Sequence, residues 1–165
     1  MGDLNSLEDL FYHQLRDIYN AEQQLIKALP KMADSSSNEE LKNAFRDHLE
    51  ETNMHKERLD EISESLGIEL SGETCNAMQG LIEEANEFMS RNPDPDVLDA
   101  GMIADAQRME HYEIAAYGTA VTYAKSLGNN EAAKKLQQTL DEESAADATL
   151  NDIAIERVNM NAKAM

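Results

Sequence analysis

The sequence predicts an all-α protein whose core is a bundle of four long helices. Turn-forming residues are scarce, with 7 glycines and 3 prolines among 165 residues, so the connections are few and the elements must be long. Aromatic residues make up 5% of the chain and tryptophan is absent, whereas methionine occurs 9 times. This mixture favours helices over sheets. Four segments also repeat apolar residues every three or four positions, which is the period of an amphipathic helix.

The first helix is predicted over residues 6–33, where apolar side chains recur at helical spacing as far as the last turn. Ser6, followed three residues later by Asp9, resembles the capping box that begins many helices. Because Pro30 lacks a backbone N–H, we expect it to kink the last turn.

The second helix is predicted to begin after a turn at residues 35–38, where Ser37 and Glu40 form another capping signal. It ends at Gly67, a residue type that commonly follows helices in the left-handed conformation. Residues 68–94 form a long crossover that contains a short amphipathic helix. A helix of about 18 residues extends roughly 27 Å, so the crossover can travel most of the length of the bundle.

The third helix is predicted to begin at Asp94 and Pro95, an N-cap followed by proline at the first helical position. It ends at Gly128, and the fourth helix follows after a short turn. Short turns make each pair of long helices an antiparallel hairpin. The long crossover joins the two hairpins in the up-down-down-up order of ferritin-like four-helix bundles. We expect residues 1–165 to form one such domain.

The chain is strongly acidic, with 33 acidic and 14 basic residues and a net charge of −19. Because phosphate groups repel such a surface, nucleic acids and anionic membranes are disfavoured as partners, and cations are favoured. No apolar run approaches the ~18–20 residues that span a bilayer. The single cysteine, Cys75, excludes an internal disulfide and a cysteine-rich metal site. It also fits a reducing compartment, and the sequence lacks a signal-peptide pattern, so we expect a cytoplasmic protein.

Acidic residues occupy positions that the helical period assigns to the core. Each long helix is predicted to bury one apolar stripe of residues spaced three or four positions apart. One glutamate in each helix falls on this stripe, and the four are Glu22, Glu51, Glu113 and Glu143. In an antiparallel hairpin, residues equidistant from the turn lie at one level, so Glu22 faces Glu51 and Glu113 faces Glu143. Residues 50–55 also resemble residues 142–147. Two similar hairpins related by a pseudo-twofold axis would bring all four glutamates together.

Equal distance from the turn of each hairpin also predicts which residues share the neighbouring layers of the bundle. It pairs Tyr19 with His55 and Glu110 with Asp147, and we expect these pairs to extend the polar layer on one side. His48 falls in the layer on the other side, whose remaining members are largely apolar. We therefore expect His48 to be a hydrogen-bonded core histidine.

Several carboxylates can share a dry core only if they are protonated, paired with bases or bound to cations. Each ionised group costs several kcal/mol to bury, and two like charges 4 Å apart repel by about 4 kcal/mol at an effective dielectric constant of 20. Lysine and arginine are missing from the stripe, and protonating all six acids would need large pKa shifts. Oxygen-rich ligation with an imidazole suits iron or manganese. The sequence therefore predicts a carboxylate-rich site for two such ions.

Three stretches carry a family resemblance: DIYNAE at 17–22, HLEET at 48–52 and EHYEIA at 110–115. They resemble the YciF-like bacterial stress proteins of the ferritin-like superfamily, which are similar to the rubrerythrin bundle. The resemblance covers nearly the whole chain and implies a homodimer with a role in the stress response. Rubrerythrin-type ligation would use Glu22, Glu51, Glu110, Glu113, Glu143 and the residue four positions after it, Asp147.

Two positions depart from the family pattern. Met54 stands where the histidine of the second helix is expected, so His55 becomes a candidate either as a ligand or as a hydrogen-bond donor to one. Asp147 stands where rubrerythrin-like sites have histidine. Glu50 and Glu142 point about 100° away from their neighbours on the helix, and we expect them on a solvated face.

The predicted function is that of a ferritin-like stress-response protein in which two iron or manganese ions act on peroxide, oxygen or ferrous iron. Glu51 and Glu113 are candidates for bridging ligands, and Glu22 and Glu143 for terminal ones. The chain lacks a cysteine-rich rubredoxin module, so a redox cycle would need an external electron donor. The alternative is a non-catalytic dimeric bundle, structural or partner-binding, whose metal site is empty or vestigial. The sequence leaves both open, and with them whether the protein is an enzyme.

Overall fold

The structure is a computed structural model that describes residues 4–164, which form helices and the loops between them. The helices are α1 (Leu7–Ser35), α2 (Glu39–Leu66), α3 (Asn76–Ser90), α4 (Pro95–Ser126) and α5 (Asn130–Ile153), followed by a π-helical turn (Ala154–Val158) and α6 (Asn159–Lys163). The all-α prediction is confirmed, and the crossover contains the expected short helix. Within residues 4–164, the helices contain no apolar stretch of the length that a membrane span needs.

The ends of the helices follow local signals in the sequence. The Ser6 side chain accepts a hydrogen bond from the Asp9 N–H and caps α1, as predicted. The cap of α2 is Asn38 rather than Ser37: the Asn38 side chain accepts from the N–H of the third residue beyond it. Gly67 ends α2 with φ +65°, a conformation that costs glycine little because it has no Cβ.

A buried aspartate of α4 decides how the turn between α1 and α2 is held. The Asp99 carboxylate accepts hydrogen bonds from the backbone N–H groups of Ser37 (2.9 Å) and Asn38 (2.8 Å). Both Asp99 oxygens are thereby satisfied in a side chain that is only 1% exposed. This contact fixes the turn between α1 and α2 beside the first turns of α4.

The two hairpins run in opposite directions, as in ferritin-like bundles. One apolar cluster joins the end of α1 and the start of α2 to the first half of α4 and the end of α5; its members include Met32, Phe45, Met102 and Ile153. A second cluster joins the opposite ends of the same helices, with Leu15, Leu59, Ala120 and Leu136 among its members. The turn between α1 and α2 and the turn between α4 and α5 therefore lie at opposite ends. Helix α3 packs against α4 and α1.

Candidate metal centre

Six buried titratable side chains fill the space between the two apolar clusters. Each is at most 6% exposed. All four long helices contribute: Glu22 from α1, His48 and His55 from α2, Glu110 and Glu113 from α4, and Glu143 from α5. On every helix these residues lie between a stretch that packs in one apolar cluster and a stretch that packs in the other.

The first set of converging donor atoms is the His48 group, formed by His48, Glu110, Glu113 and Glu143. Each residue offers one nitrogen or oxygen atom, and these atoms lie within 4.8 Å of one another. His48 Nε2 lies 3.0 Å from Glu110 Oε1 and 3.7 Å from Glu143 Oε2. This spacing is that of donor atoms around a single cation.

The second set is the His55 group, formed by Glu22, His55 and Glu143 within the same 4.8 Å limit. His55 Nδ1 lies 2.9 Å from Glu143 Oε1 and 3.5 Å from Glu22 Oε1. The Tyr117 hydroxyl donates a hydrogen bond to Glu22 Oε1 and fixes that carboxylate. Glu143 belongs to both groups and is the side chain that they share.

Most polar atoms of the cluster have no hydrogen-bond partner. Among residues 4–164, nine buried side-chain nitrogen and oxygen atoms are unpartnered, and all nine belong to these six side chains. Some lie close together, such as His55 Nδ1 and Glu143 Oε1 at 2.9 Å and His48 Nε2 and Glu143 Oε2 at 3.7 Å, but their directions do not meet hydrogen-bond geometry. Such atoms are rare in folded proteins, and each costs about 1–3 kcal/mol. Because donor atoms of these side chains also converge within 4.8 Å of one another, the donor set fits metal ions.

Burial is the largest influence on the pKa values of the buried glutamates. It raises the pKa of Glu22, with the nearby Glu143 charge adding to the effect against the opposing contact with His55. Burial and the charges of Glu143 and Glu22 raise the pKa of Glu113 well above its usual range. Burial raises the pKa of Glu143 to about 7, although contact with His55 opposes the rise.

The neighbouring carboxylates raise the pKa values of both histidines in the cluster. Burial alone would lower the pKa of His48, but Glu110, Glu51 and Glu143 outweigh it and raise that pKa well above its usual value. Burial likewise opposes protonation of His55, yet its contacts with Glu143 and with Glu22 raise the pKa to about 10. Protons thus supply the positive charge in the metal-free cluster, and divalent cations would replace them.

Five of the seven residues that the sequence singled out are brought together, namely Glu22, Glu110, Glu113, Glu143 and His55. Glu51 is in neither group: its side chain is 38% exposed, and its Oε2 lies 3.5 Å from His48 Nδ1. Asp147 is also outside the cluster, because it accepts a hydrogen bond from Gln107 Nε2 (3.1 Å) and lies 3.2 Å from His111 Nε2. The role of all seven as ligands stays a prediction.

His48 is the member of the cluster that the sequence reasoning missed, because the layer assigned to it was wrong. The turn between α1 and α2 and the turn between α4 and α5 lie at opposite ends of the bundle. Residues of α2 near the first turn therefore lie level with residues of α4 that are far from the second turn. His48 therefore meets Glu110 rather than the apolar level of Leu140. The length of the crossover, which predicts opposite ends for the turns, is the signal that could have found it.

Glu142 also differs from expectation, because it contacts the cluster rather than pointing only into solvent. Its Oε2 lies 3.0 Å from His55 Nε2, and Arg58 donates hydrogen bonds to both Glu142 oxygens at 2.7 and 3.0 Å. Burial, the largest single effect, raises the pKa of Glu142, but the hydrogen bonds from Arg58 and Gln138 and the charges of Arg58 and His55 together outweigh it, so the net shift is downward.

A small cavity leads from the surface to the His48 group. Its volume is about 190 Å³, and α2, α4 and α5 line it. His48 and Glu110 lie at its buried end, Asp47 and Thr149 are exposed, and Glu51 forms part of its wall. Small molecules and cations can therefore reach this side of the cluster.

Comparison with known proteins identifies the family. Residues 6–163 match a family described as a domain of unknown function, DUF892. Protein YciF of Escherichia coli (strain K12) is 49% identical over 162 residues, which is 98% of each chain. The chain belongs to the DUF892 family. The resemblance to YciF-like proteins is thereby confirmed.

Solved structures extend the comparison of this DUF892 chain to the fold. The crystal structure of the E. coli stress protein YciF, 50% identical, has a TM-score of 0.91 over 94% of this chain and 99% of that chain. YcfI from Rhodopseudomonas palustris, 48% identical, has a TM-score of 0.88 over 90% and 95% of the two chains. A Xanthomonas campestris protein at 20% identity shares the fold, with a TM-score of 0.75 over 97% and 100%.

Proposed function

We propose that this DUF892 protein is a ferritin-like stress protein that binds two iron or manganese ions in the six-residue cluster. The observation that supports the proposal is the convergence of nine buried, unpartnered nitrogen and oxygen atoms on two adjoining groups. The donor set of four carboxylates and two imidazoles suits iron or manganese. Glu143, common to both groups, is the bridging ligand in this proposal, in place of Glu51.

The proposed activity is redox chemistry with peroxide, oxygen or ferrous iron. When bound, the two ions supply the one-electron steps that such reactions need. The residues of the chain hold the ions and fix their ligands: Tyr117 fixes Glu22, and the cavity of about 190 Å³ beside His48 leaves room for a small reactant. Cys75 is the single cysteine, so we propose that the electrons come from an external donor.

The biological setting belongs to the same proposal. The E. coli relative with a solved structure is named a stress protein, and we extend that role to this chain. A homodimer is part of the proposal through the family resemblance, and sedimentation analysis of the purified protein would test it. We also propose a cytoplasmic location, which the single cysteine supports.

Anaerobic metal reconstitution tests the proposal directly. Metal-free protein is titrated with Fe(II) or with Mn(II), and elemental analysis after dialysis is expected to find two ions per chain. Peroxide is then added to the Fe(II) form, and we expect rapid loss of Fe(II) with new charge-transfer absorption. The double variant Glu113→Gln, Glu143→Gln should bind neither ion tightly. A matched control, Glu57→Gln, replaces an exposed acid of α2 and should bind both. A wild type that retains no metal would overturn the proposal.

The second candidate function is a non-catalytic bundle that supports a structure or binds a partner. It is favoured by the outward positions of Glu51 and Asp147 and by the contacts of the two histidines with carboxylates, which partly neutralise the cluster without metal. Under this function the ions, if retained, would not react with peroxide. Loaded protein that leaves peroxide unconsumed in the presence of an electron donor would favour it.

A further inference from the structure

A pair of charged residues holds the far side of the His55 ring. Glu142 Oε2 lies 3.0 Å from His55 Nε2 and accepts a hydrogen bond from Arg58 at 2.7 Å, while its Oε1 accepts from Arg58 at 3.0 Å and from Gln138 at 3.1 Å. Arg58 also donates to the buried Thr139 hydroxyl at 2.7 Å. The carboxylate is therefore held by four contacts, and the ring is held by the carboxylate.

This arrangement decides which ring nitrogen faces the candidate metal centre. With Nε2–H donating to Glu142, the other nitrogen, Nδ1, faces Glu22 and Glu143. His48 has no comparable support: neither of its ring nitrogens has a hydrogen-bond partner, and its nearest outer carboxylate, Glu51, is partly exposed. The two histidines of the cluster thus differ in how firmly they are held.

We propose that Arg58 and Glu142 are positioning residues that hold His55 with Nδ1 directed at the His55 group, and that they raise the metal affinity of that group and not of the His48 group. The inference rests on the proposed function. Its physical basis is general: a carboxylate that accepts a hydrogen bond from the far nitrogen of an imidazole fixes the ring orientation and its protonated nitrogen, and makes the near nitrogen a better donor.

A purely structural role makes a different prediction. Arg58 and Glu142 also join α2 to α5, so they could stabilise the bundle without acting on the metal. Loss of that contact would lower the melting temperature and would weaken both groups to a similar extent. Selective loss at one group separates positioning from simple stabilisation.

The test is a titration of metal-free protein with Co(II), followed by calorimetry and by visible absorption. In Glu142→Ala we expect one of the two ions to bind about 10–100-fold more weakly, the usual effect of removing such a partner. The other ion should bind as in the wild type. The matched control is Asp141→Ala, which removes one negative charge from the adjacent residue, whose carboxylate accepts from Gln137 and not from His55. It should leave both affinities unchanged.

A conservative variant and a metal-independent measurement complete the design. Glu142→Gln retains an oxygen that can accept from His55 Nε2–H, so it should recover most of the lost affinity. In ¹⁵N-histidine spectra of metal-free protein, a slowly exchanging Nε2–H of His55 is expected in the wild type and in Asp141→Ala, but not in Glu142→Ala.

The outcomes distinguish the two proposals. Two tightly bound ions in Glu142→Ala, or equal weakening of both, would overturn the positioning role while leaving the metal site intact. Failure of the wild type to bind Co(II), Fe(II) or Mn(II) would overturn the proposed function itself.

Discussion

Glu113 shows how burial without a basic partner controls the chemistry of a single residue. Both of its oxygens are unpartnered, the side chain is 1% exposed, and the nearest charges that act on it come from other carboxylates. Its pKa is therefore raised, first by burial and then by Glu143 and Glu22. In the metal-free protein this residue is a source of instability that a cation or a proton must relieve.

Replacing Glu113 with glutamine should stabilise the metal-free protein at high pH. A carboxyl group whose pKa is higher in the folded protein binds its proton more tightly there, so its contribution to the free energy of unfolding falls as the pH rises above the unfolded value of about 4.5. Glutamine imitates the neutral form at every pH. We expect Glu113→Gln to exceed the wild type by about 1–3 kcal/mol near pH 8, the cost of an unpartnered buried group.

Urea unfolding in the presence of a chelator measures this difference. The advantage of Glu113→Gln should shrink as the pH falls towards about 4.5. The exposed acid Glu57 provides the control, because Glu57→Gln should follow the wild type at each pH. Equal stability of Glu113→Gln and the wild type near pH 8 would contradict the assignment of an unfavourable buried charge.

His48 allows a second prediction at the same scale, because it is the only histidine in its group. In His48→Ala, the affinity for one of the two Mn(II) ions should fall at least about tenfold. The number of tightly bound ions per chain should then fall from two to one. Equilibrium dialysis with elemental analysis measures the stoichiometry. His111, whose side chain is 67% exposed, is the matched control, and His111→Ala should bind two ions. Retention of both ions by His48→Ala would remove this residue from the site.

Among the secondary-structure elements, the crossover helix α3 approaches α4 closely at a glycine. Gly101 of α4 lies against the ring of Phe88 at the end of α3, and a Cβ added at Gly101 would lie 2.1 Å from Phe88 Cε1. A glycine in mid-helix is costly for the helix itself. Here a larger residue fits only if the Phe88 ring moves away from α4.

The pair Gly101 and Gly118 tests this directly, since both lie in α4 and nothing lies within 4 Å of a Cβ added at Gly118. Gly101→Ala should lower the free energy of unfolding by about 1–3 kcal/mol because the ring must move. Gly118→Ala should raise it by about 0.5–1 kcal/mol because alanine favours the helix. Chemical denaturation of both variants measures the changes. A stabilising Gly101→Ala would show that α3 moves aside without cost.

At the scale of the whole molecule, the net charge of −19 opposes compaction through self-repulsion. Raising the NaCl concentration from about 0.01 M to about 1 M shortens the screening length from about 30 Å to about 3 Å. We expect the melting temperature of the metal-free protein to rise by at least about 2–4 °C, which corresponds to roughly 1 kcal/mol for a domain of this size. NaCl is preferred to a sulfate salt, which strengthens apolar burial by itself. An unchanged melting temperature would show that self-repulsion is a minor contribution.

The helices, and the acids that interrupt their apolar faces, could be predicted from the amino-acid sequence. Both are local properties: the period of a helix assigns each residue to a face, and caps such as Ser6 and Gly67 act within a few residues. The positions of Glu22, Glu113 and Glu143 on buried faces could therefore be predicted before any contact was known.

Which side chains meet depends on how the helices pack against one another. His48 joins Glu110 because the hairpins run in opposite directions, a relation between segments far apart in the chain. Asp147 turns to Gln107 and His111, and Glu142 reaches His55, because of neighbours on other helices. Helical period fixes the direction in which a side chain leaves its own helix, but the partner it finds depends on the level and facing of the next helix.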